Sequence, residues 1–147
     1  MARSAIGKEF ESLLLHKVGE SISDLVIEEV AGNLKNTIQL QTNFDCLVYF
    51  LCFDISKNEK NGWWNFEVNT ISFLHKKFPK FVVVFLTSSE RGYVIYDYEI
   101  DNHTRDFSVC IIRGYYKIKE DYLHSANTRM FRSIDEFVNL LLPYKKE

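Results

Sequence analysis

"WWNFEVNTISFLHKKFPKFVVVFL" (63–86) is the stretch on which the fold turns. Its opening residues alternate. Trp64, Phe66 and Val68 fall on one side of a strand over 63–69, and Trp63, Asn65, Glu67 and Asn69 fall on the other. A short helix is expected over 70–78, because Pro79 keeps the residue before it out of the helical region. The unbroken apolar run from Phe81 to Leu86 is hard to solvate on either side and predicts a covered central strand over 81–87. Strand, short helix and strand make a βαβ unit, which would set 63–69 and 81–87 parallel.

Upstream, "DCLVYFLCF" (45–53) is apolar on both faces and reads as a second covered strand. The polar "DISKNEKNG" (54–62) ends in Asn-Gly, a hairpin signal that would make 45–53 and 63–69 antiparallel neighbours. Ile6, Phe10, Leu13, Leu14 and Val18 recur at helical spacing over 4–20, with Gly19 placed to end that helix. Strands are expected over 24–30 and 36–41, separated by the turn signal "AGN". Downstream come the turn "SSERG", a strand over 93–98 and another over 107–118. A final helix is opened by the capping box "SIDE" (133–136) and closed by Pro143. With no repeat and no linker-like stretch, residues 1–147 read as a single domain of α/β class, an α+β mixed sheet flanked by helices.

Composition narrows the function classes. Hydrophobic residues make up 46% of the chain, which excludes disorder, and the longest apolar runs are too short to cross a bilayer as helices. The start "MARSAIGKEF" lacks the layout of a signal peptide, so a cytoplasmic protein with no membrane partner is expected. Cys46, Cys52 and Cys110 lie in apolar strands without metal-type spacing and read as packed, reduced thiols. His16, His75, His103 and His124 are scattered, so no zinc site is expected. The net charge of −2 counts against tight nucleic-acid binding by the chain alone; 73–80 and 117–132 are the candidate basic patches. Twelve Phe, eight Tyr and two Trp exceed what one small core readily hides. A homodimer or protein partner is therefore expected, with Trp63 the leading contact.

Three acids merit attention. The hairpin would bring Asp45 and Glu67 to one end of two adjacent strands, where two carboxylates repel unless a hard divalent cation lies between them. Glu11 on the first helix could join them. Each acid also has a plain reading: Asp45 as a loop-end turn former, Glu67 on a solvated face beside Asn65 and Asn69, and Glu11 as a surface residue near Lys8.

These positions carry a resemblance. "IGKEFESLLLHKVG" (6–19), then Asp45 in "NFDCLVYF", then Glu67-Val68-Asn69, then "ISFLHKKFPKFVVVFL" resembles the PD-(D/E)XK, restriction-endonuclease-like nucleases over residues 4–87. The resemblance implies a restriction-endonuclease-like αβββαβ core and a nuclease-like domain acting in bacterial or phage defence. It also implies Glu11, Asp45 and Glu67 as Mg²⁺ ligands and nucleic acid as substrate. Bound metal would lower the pKa of the attacking water. Asn69 stands where the family has its catalytic Lys and can supply neither charge nor base, while Phe44 replaces the Pro that precedes the Asp. Lys76 or Lys77 could substitute from the following helix. The catalytic set so implied is Asp45, Glu67 and Asn69, with phosphodiester hydrolysis weakened or lost. The alternative is a non-catalytic protein-binding module of inhibitor or immunity type.

Overall fold

A computed structural model describes residues 5–20, 36–52, 63–106, 108–110, 114–126 and 128–147. The expected strand at 24–30, the turn after it and the 54–62 connection lie outside the described residues, as does the side chain of Trp63.

Helix α1 (Ala5–Val18) forms where the apolar spacing places it. Gly19 ends it at φ 72°, a left-handed conformation that glycine adopts without penalty. The Asn43 side-chain amide donates to the Val18 carbonyl, satisfying one of the acceptors that a helix end leaves open. Strands β1 (Thr37–Leu40), β2 (Cys46–Cys52), β4 (Phe81–Leu86), β5 (Gly92–Tyr96) and β8 (Arg129–Phe131) build a five-stranded mixed sheet in the order β1-β2-β4-β5-β8. Strand β4 is central and every one of its residues is buried, as its unbroken apolar run requires.

The strand carrying Glu67 is not in that sheet. Strand β3 (Trp63–Glu67) pairs antiparallel with β7 (Tyr115–Lys119), which also takes β6 (Ser108–Cys110), in a separate three-stranded sheet. Both expected pairings of β3 are therefore corrected. Strand β2 already has β1 antiparallel on one side and β4 parallel on the other, so no edge is left for a 45–53/63–69 hairpin. The parallel pair is β2 with β4, not β3 with β4, and β3 and helix α2 (Val68–Lys77) belong to the crossover between them. Alternation favours a half-buried strand without naming its neighbour, and the two longest apolar runs pair with each other because both need cover on both faces.

Two further boundaries differ. Residues 107–118 were expected as one strand, but β6 and β7 fold back on each other, Cys110 opposite Tyr115. Gly114, just before β7, takes φ 72°, a conformation that suits glycine and does not belong to a strand interior. Short helices α3 (Ile100–Thr104) and α4 (Glu120–Ser125) have too few turns to leave a periodic signal. The closing helix α5 (Ile134–Leu140) begins as expected, with Ser133 Oγ accepting the Glu136 N–H at 3.2 Å.

Alternation along β2 divides the interior. Cys46, Val48 and Phe50 join Phe10, Leu14, Phe131 and Phe137 in a core beneath α1 and α5. Leu47, Tyr49 and Leu51 join Trp64, Ile71, Leu74 and Ile118 in a second core on the other face. Trp64 pegs the second sheet to the first: its indole N–H donates to the Leu86 carbonyl at 3.1 Å, and its ring stands edge-on to Phe85 at 5.5 Å. The chain end is tied down as well. Tyr144 donates its hydroxyl to Asp97 at 3.0 Å, while Asp97 accepts the Phe81 N–H at 3.2 Å.

Candidate functional site

The three acids of the sequence pattern sit on different elements. Glu11 lies on α1, over the first core, and Glu67 ends β3, over the second, so the sheet stands between their elements. Asp45 precedes β2 with its N–H bonded to the Tyr144 carbonyl, and its exposed carboxylate lies 3.9 Å from the Lys80 ammonium. Lys80 follows the C-terminal end of α2, whereas Glu67 precedes the N-terminal end without a side-chain capping bond, and ten residues of helix separate those ends by about 15 Å. The β2 residue that feels the charge of Glu67 is Tyr49, well along the strand from Asp45. Its pKa is raised by burial first and by Glu67 second.

Asn69 is a helical residue and not a strand neighbour of Glu67, since α2 starts at Val68. The Val68 N–H still bonds the Gly114 carbonyl at 3.0 Å, so β3–β7 pairing runs up to the helix start. Glu67 has extended geometry there, and a carboxylate at that position is favoured by the helix dipole. Lys76 and Lys77 are exposed at the far end of α2, about 14 Å along the axis from Glu67. Among the described residues, no group of three or more His, Cys, Asp or Glu side chains is placed to hold a metal ion. Cys46 is buried, and burial pushes its thiol up to about 12, which keeps it an unreactive core group.

Sequence reasoning missed a pocket at the other end of the sheet. It holds about 170 Å³ where the carboxyl end of β4 meets the edge pair β5–β8 and the start of α4. Thr87, Arg91, Gly92, Tyr93, Glu120, Met130, Phe131 and Arg132 line it. The turn that carries Arg91 is closed by its own carbonyl, which accepts the N–H groups of Thr87 at 2.9 Å and Ser88 at 3.2 Å. Gly92 has no room for a side chain: a Cβ there would lie 2.3 Å from the Phe85 carbonyl oxygen and 3.1 Å from the Phe131 ring. Tyr93 donates its hydroxyl to Glu120 at 2.9 Å. Its pKa rises to about 12, chiefly through burial and then through that bond and the nearby acids, so it stays a donor. The signal was partial, since "SSERG" reads only as a turn and Arg132 ends the basic stretch 117–132. No linear pattern joins Arg91 to Arg132.

No family model, no curated protein and no solved structure matches this chain.

Proposed function

We propose that this chain is a non-catalytic binding module, of inhibitor or immunity type, and not a working phosphodiesterase. The observation that carries the reading is that Asp45 lies beside Lys80, past the C-terminal end of α2, while Glu67 precedes its N-terminal end and Glu11 is on a helix over the opposite face of the sheet. Two-carboxylate metal chemistry needs oxygens within about 2.1 Å of one Mg²⁺, and this spacing does not converge them. The net charge of −2 and the polar side chain of Asn69 point the same way.

The competing reading is a divergent PD-(D/E)XK nuclease with a restriction-endonuclease-like core. It is favoured by the chain order of a helix with Glu11, a strand preceded by Asp45, a strand ending in Glu67, a helix and a buried strand. Incubation of single- and double-stranded DNA and RNA with Mg²⁺ or Mn²⁺ separates the two, using the wild type, Asn69→Lys and Glu67→Ala. The binding-module reading expects no cleavage by any of them and no metal-dependent rise in melting temperature, because only a ligand of the folded state raises the midpoint. Cleavage by the wild type that Glu67→Ala abolishes would overturn it and establish the nuclease.

A further inference from the structure

The geometry points to the Arg91–Arg132 pocket as a binding site for a phosphoryl dianion, either free phosphate or the terminal group of a small phosphomonoester. This inference is independent of the proposed function, since it concerns neither the three acids nor cleavage. Two arginines from separate elements line one cavity: Arg91 from the turn after β4 and Arg132 from the residue after β8. Among the described residues the ion pairs are Lys17–Asp135, His75–Asp101, Lys80–Asp45 and Arg129–Glu99. Neither Arg91 nor Arg132 takes part in one. Arg129, three residues before Arg132, shows the contrast: its guanidinium is held by Glu99 and lies 4.4 Å from the centre of the Tyr96 ring.

The one carboxylate of the pocket, Glu120, already accepts the Tyr93 hydroxyl. It leaves the lining with an excess of one positive charge. A carboxylate ligand can satisfy a single guanidinium fork, whereas the tetrahedral oxygens of a phosphoryl group can meet two, and its double charge outweighs the repulsion from Glu120. Thr87 also lines the cavity. The cavity is larger than phosphate alone requires, and half-exposed Met130 gives it an apolar side against which the carbon part of an ester could rest. The position is also where α/β sheets commonly take ligands, outside the carboxyl end of a parallel strand.

Titration of the intact ¹⁵N-labelled chain with inorganic phosphate, glycerol 3-phosphate, dimethyl phosphate and acetate, at constant ionic strength, tests this. Saturable shifts are expected at the amides of Thr87, Arg91 and Arg132 with phosphate and the monoester, with Kd near or below about 1 mM, and much weaker responses to the two monoanions. Tighter binding of glycerol 3-phosphate would assign the site to esters, and equal binding to phosphate itself. Arg91→Gln and Arg132→Gln, both at exposed positions, should each weaken binding about tenfold with unchanged melting temperatures, as loss of a charge-assisted bond predicts. No saturable binding, equal response to all four anions, or undiminished affinity in both variants would overturn the inference.

Discussion

Replacing Trp64 by phenylalanine should cost this protein about 2–4 kcal/mol, and the reasoning rests on how the second sheet is fastened to the first. Trp64 is 1% exposed, its N–H reaches the Leu86 carbonyl at 3.1 Å, and its ring lies against Phe85 and Tyr93. Phenylalanine removes the buried hydrogen bond, worth about 1–3 kcal/mol when the partner is left behind. The smaller ring also leaves a gap that the packed neighbours cannot fully close, adding roughly 1 kcal/mol. Total stability for such a domain is about 5–15 kcal/mol, so the loss is a large fraction of it. The melting temperature should fall by roughly 5–15 °C, at about 2–4 °C per kcal/mol for a chain of this size. Urea unfolding followed by far-ultraviolet circular dichroism measures the energy, and hydrogen exchange locates it: amides of β7 should lose more protection than those of β2. A loss below about 0.5 kcal/mol, the ordinary range for an exposed residue, would refute the claim that Trp64 joins the two sheets.

Val83→Asp should leave the protein unfolded or aggregated, because β4 is central and position 83 is fully buried with no partner for a charge; a soluble variant with an unchanged melting point would contradict this. Gly92→Ala should destabilise by more than about 2 kcal/mol, since its Cβ would meet a backbone oxygen at 2.3 Å, and thermal melts will show whether the strand can shift to accept it. Stability should decline in alkali. The Cys46 thiol ionises at its ordinary 9.0 in the unfolded chain and only at about 12 when folded, and Tyr93 moves from 10.0 to about 12. Between those values the unfolded state holds fewer protons, so unfolding is favoured by at most about 1.4 kcal/mol per pH unit per group. Urea midpoints from pH 8 upward should therefore fall for the wild type and fall less steeply for Cys46→Ala.

Local signals in the sequence were enough for several elements. Helix α1 follows from apolar spacing and Gly19, α5 from Ser133 and Glu136, and the covered position of β4 from a run that cannot face water. Each of these depends on residues within a few positions of one another. Strand partners do not. The alternation of 63–67 shows that β3 buries one face, yet the same pattern serves a neighbour of β2 or a strand lying across it, and the choice was made by competition for edges. Once β2 was paired with β1 and β4, Glu67 went to another sheet and Asp45 came to rest beside Lys80, so their order along the chain did not make them strand neighbours. Arg91 and Arg132 illustrate the converse. They are 41 residues apart and share no motif, but antiparallel pairing of β5 with β8 sets Gly92 opposite Phe131 and so brings the flanking arginines to one cavity. The sequence alone settled which of the long apolar segments are buried and where α1 and α5 lie, because those follow from near-neighbour chemistry. Which side chains meet was decided by the tertiary structure, because pairing is a contest among distant segments for the same edges and faces.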